Sequence, residues 1–160
     1  MEANGEQSSS VDQSGQPRVY SGEVRRVVDD KNRLNIPSRW RDSGQQELHA
    51  LPDRNLNCLQ LLTSDELLRM KNVLDESSQF SPAQKKKFRR LWFSRATPCP
   101  VDKQGRIVLS AEIQSRFGFD GEVVLVGACE CIEVWRPEDW EGMEADESIN
   151  VDDMASQLGF

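Results

Sequence analysis

The chain writes one short pattern twice, and that repeat constrains its fold more than any other feature. Residues 27–37 read VVDDKNRLNIP and residues 100–110 read PVDKQGRIVLS. Asp29 and Arg33 stand 73 residues before Asp102 and Arg106. Each copy is an apolar residue, then Asp-x-x-x-Arg, then a short β-prone run. An aspartate opens a turn by accepting backbone amides, and the residues just before each arginine, Asn32 and Gly105, tolerate positive φ. The pattern predicts two tight β-hairpins shaped by Asp29, Asp102 and Gly105, each with an arginine leaving its tip.

The echo extends beyond the turns. At the same offset Cys58-Leu59-Gln60-Leu61-Leu62 matches Cys131-Ile132-Glu133-Val134-Trp135, Asp65-Glu66-Leu67 matches Glu138-Asp139-Trp140, and Tyr20-Ser21 matches Phe93-Ser94. Apolar, polar and turn classes agree in register over about 48 residues, which points to a tandem duplication. A unit that short buries too little core alone, so the two should pack together or within an oligomer. Two copies make a paired unit and not a solenoid. The expected organisation is an arm at 1–17, units at 20–67 and 93–140, a linker with a basic helix at 68–92, and an acidic tail at 141–160.

Charge follows that division. The net charge of −7 argues at first against a nucleic-acid partner. Yet residues 1–17 and 141–160 hold nine acids and no Lys or Arg, so all 20 basic residues share 18–140 with 18 acids, a core of +2. The acidity belongs to the ends. No apolar run approaches the roughly 18 residues of a membrane span. The first residues carry neither a basic n-region nor an apolar h-region, so an intracellular chain with reduced cysteines is expected.

Along the chain, the Ser-, Gln- and Gly-rich residues 1–17 read as a disordered arm. A first strand falls within 18–28. Leu34 and Ile36 then alternate with Arg33 and Asn35, giving a strand with one apolar face. Pro37 suits the first turn of a short helix that Gly44 would end, and strands follow near 48–52 and 57–62. Thr63 with Glu66 reads as a capping box for a helix striped by Leu67, Met70, Val73 and Leu74. Ser81 with Gln84 caps a second helix, rich in Lys and Arg, whose apolar edge is Phe88, Leu91 and Trp92. After the second turn come a helix from Ser110 to Phe117 closed by Gly118, strands at 122–127 and 130–135 joined through Ala128-Cys129, and a short helix from Arg136. The acidic segment beyond it reads as frayed or dependent on a partner. Short strands with small helices between them make an α+β class.

Two readings of the turns stand side by side. Each arginine can project its planar fork toward phosphate or a guanine edge, or pair with its aspartate and hold the turn. Basic neighbours crowd Arg33 (Arg25, Arg26, Lys31, Arg39, Arg41), whereas Arg106 has only Lys103 nearby in sequence. The basic helix at 82–95 can track phosphates, stay solvated, or face the acidic tail or a neighbouring subunit. Cys58, Cys99, Cys129 and Cys131 fit no common zinc spacing and read as buried thiols. With one histidine, no nucleophile elbow and no phosphate loop, neither catalysis nor a cofactor or metal is expected.

Tyr20-Ser21-Gly22, Asp29 through Arg41, Asp102 through Ile107, Val123 to Gly127, Ile132-Glu133-Val134-Trp135 and the paired Arg89-Arg90 together resemble the MraZ family, over about residues 20–140. The resemblance implies two tandem SpoVT-AbrB-like units of the swapped-hairpin, double-split β-α-β type, forming one pseudo-symmetric, β-barrel-like domain. It implies a cytoplasmic, nucleoid-associated transcriptional regulator, assembled as a homo-oligomeric ring. The partner it implies is double-stranded DNA, at direct repeats upstream of the division and cell-wall gene cluster. Arg33 and, by duplication, Arg106 become the candidate DNA-reading residues, with Lys31, Asn32 and Lys103 in support and Arg25, Arg26 and Arg39 as phosphate contacts. The chain departs from the pattern at Asn32, where Gly is usual, and at Ser110, where the first copy has Pro37. It also departs in its long acidic tail, a candidate screen of DNA contacts. The competing classes are a ring-forming interaction protein without specific DNA binding and an AbrB-like antitoxin.

Overall fold

The computed structural model describes residues 15, 16, 18–42, 46–55 and 57–160. Most of the expected arm and the expected helix stop at Gly44 lie outside the described residues. The class is α+β. Its strands are β1 (Tyr20–Val27), β2 (Arg33–Asn35), β3 (Glu47–Pro52), β4 (Cys58–Thr63), β5 (Thr97–Pro100), β6 (Arg106–Val108), β7 (Glu122–Cys129) and β8 (Ile132–Trp135). Its helices are α1 (Ser64–Glu76), α2 (Pro82–Phe93), α3 (Ala111–Phe117), α4 (Pro137–Glu144) and α5 (Val151–Leu158), with a 3-10 turn at Ser38–Trp40.

Six strands form one antiparallel sheet in the order β1-β7-β8-β4-β3-β5, and β2 pairs with β6 in a separate ribbon. Exchanging the first repeat for the second maps this order onto itself: β1 with β5, β7 with β3, β8 with β4. The molecule therefore has an internal pseudo-twofold axis, running between β4 and β8 and between β2 and β6.

The expected hairpins are corrected by this topology. Each Asp-x-x-x-Arg turn reverses the chain and is closed by a backbone bond, Asp29 N to Arg33 O and Asp102 N to Arg106 O, but the strands on either side do not pair with each other. β1 lies along β7 over all eight residues, from Tyr20 opposite Cys129 to Val27 opposite Glu122, and β2 lies along β6. The repeats exchange strands, in keeping with the swapped-hairpin type that the family resemblance implied. The sheet also stays open, with β1 and β5 as its edges, where a barrel-like closure was expected. Both edges are of a kind that resists further pairing: β5 carries Pro98 and Pro100, and β1 carries Glu23, Arg25 and Arg26.

The period of two sorts the side chains cleanly. Inner-face residues Leu48, Ala50, Leu59, Leu61, Val123, Leu125, Ile132 and Val134 meet Leu34 and Ile107 of the ribbon in the main core. Trp40 from the 3-10 turn and Ile113 and Phe117 from α3 complete it. Leu34 and Ile107, opposite each other and fully buried, fasten the ribbon to the sheet. Truncating either to Ala should cost about 2–5 kcal/mol. On the outer face α1 and α2 cover Leu51, Leu62 and Cys131, and Trp140 of α4 covers Cys58, Val124 and Trp135.

Several local expectations shift. Phe93 ends α2, so the second copy of the first strand shortens to four residues. Leu59 faces Pro52 and Ile132 faces Gly127, so strands 73 residues apart in sequence face strands 75 apart. β7 runs on through Ala128 and Cys129, which moves its turn with β8 to Glu130-Cys131. The α2 capping box forms, with Ser81 Oγ accepting Gln84 N and Gln84 Oε1 accepting Ser81 N. At α1 only half of one forms. Thr63 Oγ1 accepts the Glu66 amide, while the buried Glu66 carboxylate accepts Arg69 Nη2 at 2.6 Å. The tail, expected to be frayed or dependent on a partner, folds α5.

Candidate nucleic-acid interface

Each turn is built by one carboxylate. Asp29 Oδ1 accepts the amides of Lys31 (2.9 Å) and Arg33 (2.8 Å), and its Oδ2 accepts Arg33 Nε at 2.6 Å. Asp102 repeats the pattern, with Oδ1 accepting the amides of Gln104 and Arg106, each at 2.9 Å, and Oδ2 accepting Arg106 Nε at 3.0 Å. Asn32 at φ 58° and Gly105 at φ 81° supply the left-handed residue that closes each turn. Amide bonds from the arginine backbone, then the guanidinium itself, hold both carboxyls below the usual carboxylate range.

The ribbon sets the two arginines side by side. Arg33 lies opposite Val108 and Arg106 opposite Asn35. Directly opposed residues share a face, so Arg33, Asn35, Arg106 and Val108 all point away from the core into which Leu34 and Ile107 point. The two arginines are diagonal neighbours, about 7–8 Å apart at the backbone, and the pseudo-twofold axis passes between them. The amides of Leu109 and Ile36 extend the ladder to the carbonyls of Asn32 and Gly105. The turns thus stand at opposite ends of the ribbon, with exposed Lys31 at one and exposed Lys103 at the other. Because each aspartate engages Nε, it fixes the orientation of the guanidinium plane.

The remaining candidates divide. Arg39 lies over the Trp40 ring, 5.0 Å from its centroid, with Nη2 against Gly22 where a Cβ would come within 2.9 Å. Arg26 donates to the Arg25 carbonyl. Arg25 points to the sheet face opposite the ribbon, where Glu122 Oε1 accepts Nη1 at 2.8 Å. The structure does not bring Arg25 to the two turns.

One residue of the interface was absent from the expected site. The Arg41 guanidinium packs directly on buried Gly105, where a Cβ would collide with it. In sequence Arg41 belongs with Arg33; the strand exchange delivers it to the other turn. The repeat held the signal. The counterpart of Arg41 is Gln114, and Gln114 Nε2 donates to Asn32 Oδ1 at 3.1 Å, the symmetry-related contact.

Cys58, Cys99 and Cys131 are buried, and burial pushes all three thiols up, Cys131 to about 12. Cys129 is the correction: it is exposed, at φ 70° beside the β7–β8 turn. Among the described residues no cluster of His, Cys, Asp or Glu is placed to hold a metal, and no helix is long and apolar enough to cross a membrane.

Fold and site define a class: tandemly duplicated α+β proteins whose halves exchange strands and display aspartate-held arginines together on a surface ribbon. The family model described as "MraZ protein, putative antitoxin-like" matches residues 92–158. The transcriptional regulator MraZ of Desulforamulus reducens is 31% identical over 140 residues, which are 88% of this chain and 97% of that protein. The protein of the same name from Caldicellulosiruptor saccharolyticus is 34% identical over 140 residues, 86% of this chain and 94% of its own. That of Thermomicrobium roseum is 35% identical over 124 residues, 76% and 84% of the respective chains. The chain belongs to the MraZ family.

Proposed function

We propose that this chain is a transcription regulator that reads double-stranded DNA with the outer face of the β2–β6 ribbon. The observation that carries the proposal is the pair of aspartate-oriented arginines, Arg33 and Arg106, on one solvent face. A two-stranded ribbon fits the major groove, and an arginine fork suits the O6 and N7 acceptors of guanine. With Nε held by the aspartate, each guanidinium is already oriented, so less freedom is lost on contact. Lys31, Lys103 and Arg41 add positive charge at the ribbon's ends, and Arg26 and Arg39 are candidate phosphate contacts beyond it. Arg25, balanced by Glu122 on the far face, contributes least.

The finer reading follows the family resemblance: direct repeats upstream of the division and cell-wall gene cluster, bound by a ring of copies in the cytoplasm at the nucleoid. One ribbon covers few base pairs and binds weakly alone, but a ring matched to repeats gains affinity by multivalency. Direct repeats call for copies related head to tail, since a twofold dimer would match a palindrome.

The test is a titration onto the chain's own upstream DNA and onto unrelated DNA at two salt concentrations, with Arg33→Ala and Arg106→Ala alongside. The expected result is preference for the repeats, lost in both variants while oligomer mass is unchanged. Equal, weak, salt-sensitive binding of both DNAs by all three proteins would mean non-specific charge alone. The ring would then be sought as a protein-interaction device.

A further inference from the structure

Two apolar surfaces are left open within one chain, and they complement each other. The first is a groove of about 710 Å³ between α1 and α2, walled by Met70, Val73, Leu74, Phe80, Phe88 and Trp92. Val73 is 58% exposed, Phe80 50% and Phe88 45%. The second is α5. Its N-cap Asn150 accepts the Asp153 amide and Gly159 closes it in a left-handed turn, so the helix is locally encoded at both ends. Seven of its eight residues are nonetheless exposed, and none joins a core cluster. An isolated helix of eight residues is marginal in water.

We infer that α5 of one copy docks in the α1–α2 groove of a second copy. Val151, Met154, Ala155 and Leu158 stand at i, i+3, i+4 and i+7, the spacing with which an amphipathic helix anchors in an apolar groove. The charges match as well. α2 and the residue pair after it carry Lys85, Lys86, Lys87, Arg89, Arg90 and Arg95 without an acid, whereas 141–160 carry six acids and no Lys or Arg. Lys85 sits on the groove wall itself, beside Arg69, whose guanidinium is already paired with Glu66. Since helix and groove both remain open within one chain, their union is completed between chains. Each copy then offers a free helix at one side and a free groove at the other, a heterologous contact that closes only as a ring. The inference rests on the assembly part of the proposed function and is independent of how DNA is read.

Full-length chains test it by native mass spectrometry and light scattering. A tail variant, Met154→Lys with Leu158→Lys, and a groove variant, Val73→Glu with Phe88→Glu, change only exposed residues, and a cooperative melt with the strand signal of wild type in circular dichroism confirms their folds. Wild type is expected well above the 18.2 kDa of one chain, and each variant alone should fall to that mass. Mixed in equal amounts, they should form a two-chain species and nothing larger, because the intact tail of one meets the intact groove of the other. Wild-type mass retained by either variant overturns the docking and leaves the regulator reading standing. A mixture that stays monomeric also overturns it, since the helix would then seat elsewhere. A wild type monomeric at every concentration removes the docking and the ring together, while the DNA titration still decides the ribbon.

Discussion

The two turns share a backbone and differ at their tips. Asp29 and Asp102 make the same three hydrogen bonds, and Asn32 and Gly105 take the same left-handed conformation. At one tip Asn32 reaches up to Gln114; at the other Gly105 leaves room for Arg41. Tip residue and covering residue change together, because each turn is roofed by the opposite repeat. Asn32 is therefore not a weaker glycine. It is one half of a matched pair, and the other half lies 82 residues away.

The largest effect should come from mixing the pairs. Gly105→Asn brings a side chain into the Arg41 guanidinium and should destabilise by about 1–3 kcal/mol, the range for overpacking. Adding Arg41→Gln should restore more than half of that loss in urea or thermal melts. If the two losses simply add, the tips are independent of their roofs. Acidification comes next, and it should treat both turns alike despite their different tips. A carboxylate with a lowered folded pKa stabilises above its unfolded value, near 3.9 for Asp, and loses that contribution as pH falls through the folded value. Carbon-detected NMR titration should find Asp29 and Asp102 both below the ordinary range, with amide protection at Lys31, Arg33, Gln104 and Arg106 lost together. A normal value at one alone would show that its carboxylate does not hold its turn. The smallest effect is expected from Asn32→Gly. It removes the Gln114 bond but relieves the left-handed strain, so the melt should move by no more than about 0.5 kcal/mol.

Local chemistry was legible before the structure: the repeat, the aspartate-built turns, the caps of α2, the closing Gly118 of α3, and the alternation of β2. Pairing partners were not legible in the turns themselves; only the family resemblance, with its swapped hairpins, implied the exchange. Asp-x-x-x-Arg followed by a β-prone run reads the same whether the arms pair with each other or with another repeat, since nothing within the turn records the distant strand. Arg41 was missed at the second turn for that reason. Glu66 was misread because a carboxylate at the third helical position can face back to the cap or on to an arginine, and Arg69 one turn later decides it. The start of α5 was hidden for another reason: a helix with caps but no core resembles a frayed acidic tail until its apolar stripe is read at helical spacing.

The exchange of strands also governs how the molecule comes into being. Tyr20 finds its partner at Cys129, so β1 leaves the ribosome roughly 100 residues before the strand it will pair with. At about 5–20 residues per second that is a wait of some 5–20 s. Throughout it, β1 is a bare edge that must avoid other chains. Glu23, Arg25 and Arg26, set in the middle of an otherwise β-prone strand, are charges of the kind that keep such an edge from sticking.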